Sequence, residues 1–129
     1  MTIEEAREFF GQDIFASIQL GAVIDEMSKE KVVCSFEIKD IHRNAIGLVM
    51  GGAIYTLCDF AFAVASNSGD VRTVTATSNI NFLGSSKGSK VIATLRPIKD
   101  GRTTCVYEAV VTDDIGTKVA HVIITGAHI

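Results

Sequence analysis

Hydrophobic positions along the chain fall into two regimes. Between Gly51 and Asn67 they crowd together without alternation, whereas elsewhere they come at every second position or in short amphipathic runs. Ala53 to Ala65 contains no Gly or Pro and is dominated by Ala, Leu, Ile, Phe and Val. The pattern predicts a helix over 51–67 that is apolar nearly all round and belongs in a core. At about 100° per residue, Tyr55, Thr56 and Asp59 share one narrow arc with the small residues Gly52, Ala63 and Ser66. A second backbone could approach along that arc.

The flanking segments are read by the same rules. Thr2 followed by Glu5 is a capping-box signature for a short helix running to Phe10, with a turn around Asp13 to Ala16 after it. Ile18 to Asp25 and Lys31 to Ile38 read as two strands of a hairpin that turns near Ser28 to Glu30. Beyond the central helix, Asn67 to Asp70 is a turn and Thr73 to Leu83 a strand. Strict alternation there places Thr73, Thr75, Thr77, Asn79 and Asn81 on one face and Val74, Ala76, Ser78, Ile80 and Phe82 on the other. Further strands are expected at Lys90–Ile98, Thr103–Thr112 and Lys118–Thr125, with Asp100-Gly101 as a hairpin signal and Pro97 near a strand end or edge. One long helix wrapped by a curved antiparallel β-sheet is an α+β fold.

Composition narrows the picture. The 129 residues are 47% hydrophobic and suit a single domain over 1–129 with a proper core. A net charge of −3 with scattered Lys and Arg argues against nucleic acid as the main partner. No uninterrupted apolar run approaches about 18 residues, so neither a signal peptide nor a membrane span is expected and the protein should be cytoplasmic. Three cysteines, Cys34, Cys58 and Cys105, stand at unrelated spacings and read as reduced core residues, not as a disulfide framework or a metal site.

The candidate chemistry centres on Asp59. A carboxylate in an apolar helix must be hydrogen-bonded, face a cavity or carry a raised pKa, which makes it either a general base or nucleophile, or a structural partner for a neighbouring hydroxyl. At the start of the helix the Gly51 and Gly52 amides have no intrahelical acceptors and could bind an oxyanion; alternatively the pair serves a tight turn. Gly51 and Asp59 are eight residues apart, about 12 Å along one helix, too far to act on one carbonyl. Two antiparallel copies of the helix across a two-fold axis would bring Asp59 of one beside Gly51 of the other.

The segment HRNAIGLVMGGAIYTLCDFAFAVASNSGD, followed by TATSNINFLGSS, a DGR hairpin and the strand GTKVAHVIITG, resembles the hotdog-fold acyl-CoA thioesterases of the phenylacetic-acid PaaI type over nearly the whole chain. The resemblance implies a hotdog homodimer, commonly paired into a tetramer, that hydrolyses acyl-CoA without metal or cofactor. It assigns Asp59 as the carboxylate, as base or nucleophile. Asn44 would orient water or the thioester, Gly51 would polarise the carbonyl from the partner subunit, and Thr75 would supply a hydroxyl near the carboxylate. Met50 and Gly52 would adjoin the substrate. Thr77, Phe82, Gly101, Arg102, Thr103 and Thr104 would line the CoA portion, with Lys87, Lys99 and Arg102 as phosphate contacts or else solvated turn charges. Many relatives read His-Gly-Gly where this chain reads Met50-Gly51-Gly52, so any bond made by that His is missing. Two other readings stand beside hydrolysis. One is a hotdog hydratase or dehydratase, which the missing His disfavours; the other is a non-catalytic acyl-CoA sensor using the same groove.

Overall fold

The computed structural model describes residues 1–129. Helix α1 spans Ile3–Phe10 and α2 Gly51–Asn67; the strands are β1 Val23–Met27, β2 Val32–Glu37, β3 Thr73–Phe82, β4 Lys90–Asp100, β5 Thr104–Asp113 and β6 Lys118–His128. All pairings are antiparallel, in the order β1-β2-β4-β5-β6-β3, and α2 lies against the sheet in the expected hotdog arrangement. No helix is long and apolar enough to cross a membrane.

The local code explains the two helices. At the start of α1 the Thr2 hydroxyl accepts from Glu5 N–H at 3.2 Å and the Glu5 carboxylate accepts from Thr2 N–H at 3.0 Å, a reciprocal cap whose removal costs about 1 kcal/mol. Arg7 then donates twice to the Ile24 carbonyl, at 3.0 and 2.8 Å, and pins α1 to β1. Helix α2 buries Ile54, Leu57, Cys58, Phe60, Ala61, Phe62 and Val64 against the sheet. Truncating a fully buried Leu such as Leu57 costs about 2–5 kcal/mol. The polar arc read from the sequence is the part of α2 that escapes this core: Gly52 and Asp59 are exposed and Tyr55, Thr56, Ala63 and Ser66 are half-buried.

Two expectations are corrected. Ile18 to Leu20 are not strand: Phe15–Leu20 form a π-helical turn closed by Gly21 at φ 83°, where Ala22 N–H donates to the Ala16 carbonyl at 2.9 Å, and β1 begins only at Val23. Gly21 supplies the left-handed residue that ends such a turn. The single-face reading of β3 also fails. Thr75 pairs with Gly126 and Thr77 with Thr125, so Ala76 is bulged out and the alternation changes phase. Thr73 and Thr75 face α2 before the bulge; after it Ser78 and Phe82 do, as the Tyr55–Ser78 hydroxyl contact of 2.5 Å and the Phe82 ring over Gly51 require. Thr77, Asn79 and Asn81 are thereby turned to the opposite face.

Pro97 sits where it can do no harm. Beta strand β2 pairs with β4 only as far as Leu95, and the β4–β5 register slips between Pro97 and Lys99, so the missing N–H lies beyond the reach of β2.

Candidate active site

Asp59 lies at the middle of α2, and the end of that helix fixes what stands opposite it. Asn67 Oδ1 accepts from Thr73 N–H at 2.8 Å and its Nδ2 donates to the Thr73 carbonyl at 3.0 Å, stitching the helix terminus to the first residue of β3. Thr75, two residues on and on the same face, is thereby brought beside Asp59. Partial burial raises the Asp59 pKa from the ordinary carboxylate value, the neighbouring Thr75 hydroxyl lowers it, and the like charge of Asp13 raises it again. The carboxylate opens onto a groove of about 390 Å³ whose other walls are Asp13, Ile14, Phe15, Ala16, Thr56, Phe60 and Ala63. A largely apolar trough in which one of two carboxylates has raised basicity is suited to taking a proton from water beside an apolar substrate group. Cys58, next in sequence, is fully buried and its thiol is pushed up to about 12 by burial and by Asp59, which keeps it from serving as a thiolate.

The second half of the chemistry sits at the N-terminus of α2. The Met50 carbonyl accepts from Ala53 and Ile54 N–H at 3.1 and 3.2 Å, while the Gly51 and Gly52 amides donate to nothing within the chain. Met50 caps without a side-chain bond. The Phe82 ring covers Gly51 so closely that a Cβ there would come within 2.9 Å of Cζ, whereas a Cβ on Gly52 would meet open space. The helix entrance is thus two free N–H groups beside an aromatic ring.

The loop before the helix is built by Asn44 and His42. Asn44 Oδ1 accepts from Ile46 and Leu48 N–H at 3.1 and 3.0 Å, and Gly47 adopts φ 85° at the turn. With its oxygen committed to the loop, Asn44 has only its Nδ2 hydrogens to offer a ligand. His42 is buried, Nε2 facing the Leu20 carbonyl at 2.8 Å and Nδ1 accepting from Lys39 N–H at 2.9 Å, and its own carbonyl accepts from Met50 N–H at 2.8 Å. Ring and backbone of His42 together tie the π-helical turn to the start of α2. His121 bonds Glu108 and His128 bonds Asp100, so no histidine faces Asp59.

Of the residues singled out in the sequence, Asp59 and Thr75 come together, as do Met50, Gly51, Gly52 and Phe82. The two groups are about 12 Å apart along α2 within one chain. Gly101, Arg102 and Thr103 form the exposed β4–β5 turn that leads into Thr104, where Gly101 N–H donates to the Thr104 carbonyl at 2.8 Å. Lys87 lies at the other end of β4, a strand of 11 residues, so it and Arg102 are about 35 Å apart and do not share one phosphate within a chain. The bulge at Ala76 turns Thr77 away from the face that carries Thr75, so the two do not share a site. Asp13 and Phe15 were missed as site residues; the sequence marked a turn there but carried no signal for which helix it packs on.

The profile of the thioesterase superfamily matches residues 46–120, from the loop before α2 into β6. A curated protein of Archaeoglobus fulgidus, named as a proposed esterase, is 32% identical over 89 residues; the match covers 68% of this chain and 58% of that relative's length. A Streptococcus mutans structure with acetyl-CoA bound is 33% identical with a TM-score of 0.77, covering 82% of this chain and 86% of the other. The Escherichia coli PaaI protein of the phenylacetic acid degradation operon has a TM-score of 0.85 at 22% identity, covering 99% and 96% of the two chains, a likeness of fold.

Proposed function

The chain belongs to the thioesterase superfamily, and from that premise we propose that it hydrolyses acyl-CoA thioesters to a free acid and CoA at a site shared by two antiparallel copies. The observation that carries this reading is the placement of a carboxylate of raised pKa in an apolar groove midway along a helix whose N-terminal amides are free. Neither half can reach the other in one chain, and a second copy laid antiparallel along the exposed arc of α2 supplies what is missing. Asp59 takes a proton from water, whose oxygen attacks the thioester carbonyl carbon. The Gly51 and Gly52 amides of the second copy hold the oxyanion, and its collapse breaks the C–S bond and releases CoA as thiol. Direct attack by Asp59, which breaks the C–S bond, expels CoA thiolate and gives an anhydride that water then opens, uses the same geometry.

Ile14, Phe15, Phe60 and Ala63 favour an uncharged aryl or aliphatic acyl group, and Asp13 at the groove disfavours one ending in a carboxylate. The working form is a cytoplasmic homodimer, paired further into a tetramer. The test is thiol release from aryl- and fatty acyl-CoAs by the parent, Asp59→Asn and Asp59→Ala. Loss of about 10²-fold or more is expected for removal of a positioned base. Full activity in Asp59→Asn removes the mechanism, tight CoA-ester binding without thiol release by the parent favours the sensor, and a stable monomer that turns over at the parent rate removes the shared site.

A further inference from the structure

At the far end of α2 from Gly51, three strands deliver a second cluster of reactive side chains. Asp100 ends β4 and pairs directly with Cys105 near the start of β5; Cys105 in turn pairs with Gly126 of β6, and His128 stands two residues further on. Directly paired residues share a face, as do residues two apart, so the register alone turns all three side chains to the helix side of the sheet. His128 Nε2 lies 2.9 Å from Asp100 Oδ1, and the Cys105 sulfur completes a set of ligand atoms that all fall within 4.8 Å of one another. Gly126 makes room for this: a Cβ there would come within 2.9 Å of Cys105 Sγ.

The orientation of the imidazole is the second observation. The Thr73 hydroxyl lies 2.8 Å from His128 Nδ1 and 3.2 Å from the Ser66 carbonyl, which can only accept. Thr73 thereby holds the ring by Nδ1 and leaves Nε2 turned to Asp100. A proton on Nε2 makes the contact with Asp100 an ordinary hydrogen bond, and a metal ion would take the place of that proton. A hydroxyl holding the outer nitrogen of a ring whose inner nitrogen faces a carboxylate and a thiol is the outer shell of a metal-binding histidine.

We propose that Asp100, Cys105 and His128 form a zinc site whose fourth position opens into the cavity at the C-terminal end of α2. That cavity, about 820 Å³, is lined by Asp100 and His128 together with Lys29, Arg102 and Tyr107. Cys105 lies buried behind this lining, 1% exposed, and Asp100 is exposed at the rim. Thiolate, imidazole and carboxylate together select zinc or cobalt over magnesium or calcium. Bond lengths of about 2.3 Å to sulfur and 2.0–2.1 Å to nitrogen and oxygen put tetrahedral ligand atoms about 3.3–3.6 Å apart. The widest separation, at most 4.8 Å, reaches that spacing by closing about 1.2–1.5 Å. Binding displaces the thiol proton to solvent, and the open position is free for water or an anionic group.

The site is tested by titrating chelator-treated full-length protein with Co²⁺ and then Zn²⁺. The expected result is one cobalt per chain, a thiolate-to-cobalt charge-transfer band in the near ultraviolet, and loss of that band on addition of one equivalent of Zn²⁺. Cys105→Ser should abolish the band, His128→Gln should weaken binding by at least about tenfold, and Thr73→Val, which touches no metal, by about tenfold. A parent protein that binds no cobalt, or binds it without the band, overturns the proposal even if every variant fails to fold. A band that persists in folded Cys105→Ser overturns it as well.

Discussion

Gly51→Ala separates a glycine kept for chemistry from one kept for the fold. The nearest atoms to the new Cβ would be three of the Phe82 ring, at 2.9, 3.2 and 3.5 Å. Phe82 is 53% exposed and can swing outward, at about 0.5–1.5 kcal/mol for a displaced rotamer. Gly51 does not have positive φ, and replacing Gly by Ala in a helix returns up to about 1 kcal/mol. The two effects nearly cancel, so stability should change by less than about 1 kcal/mol and Tm by less than about 5 °C. The consequence for turnover is different in scale. The methyl and the displaced ring crowd the free amide at which the carbonyl must arrive, and losing one oxyanion donor costs about 10²–10³ in kcat. Thiol-release kinetics and thermal melts on the same preparations decide the matter. Parent-level kcat/KM in Gly51→Ala would refute a carbonyl at this amide, and a Tm drop above about 10 °C would show that the glycine serves packing.

Four further outcomes follow from the geometry. Because Asp59 must be ionised to act as base, kcat/KM should rise with pH through a value above the ordinary carboxylate range, with the limb moving down in Asp13→Asn and up in Thr75→Val; a limb unmoved by either change refutes their roles. The same raised pKa means that the contribution of Asp59 to stability is present below the unfolded carboxylate pKa and lost as pH rises through the folded one, so Asp59→Asn should melt higher than the parent at neutral pH. Asp113 behaves oppositely. Burial would raise it, but N–H bonds from Lys87, Thr117 and Gly88 hold it well below the usual range, so its contribution is lost as pH falls below the unfolded carboxylate value, and Asp113→Asn should flatten the acid limb of a Tm–pH curve. Finally, a Cβ at Gly126 would lie 2.7 Å from Phe62, 2.8 Å from Thr73 and 2.9 Å from Cys105, and Gly126→Ala should cost about 1–3 kcal/mol in a chemical denaturation series.

What was legible in the sequence was whatever one element decides alone. The bounds of α2 follow from an uninterrupted apolar run, and those of α1 from Thr2 and Glu5, because caps and periodicity act within a few residues. The outward-facing arc bearing Asp59 follows from helical geometry in the same way. The facing of Thr77 was lost because a bulge depends on the partner strand, and nothing in TVTATSNINF marks Ala76 as the extra residue. Ile18 to Leu20 read as the start of a strand because a single turn is too short to show a period, and its closure depends on Gly21 and on the distant His42. Neither the Asp13 wall of the groove nor the Asp100–Cys105–His128 cluster could be seen before the register of separate strands was known.

The position of β3 in the sheet has a bearing on how the molecule comes into being. It leaves the ribosome before β4, β5 and β6, yet its only neighbour in the sheet is β6. During synthesis it must wait, tethered to α2 through Asn67 and Thr73, while three later strands assemble beside β2. Such delayed long-range pairing is slow and leaves an unpaired strand exposed to wrong partners. Thr75 meets its sheet partner Gly126 only then, so the surroundings of Asp59 are completed only once β6 has been made, and a polypeptide stalled short of β6 would carry the acid without its finished setting.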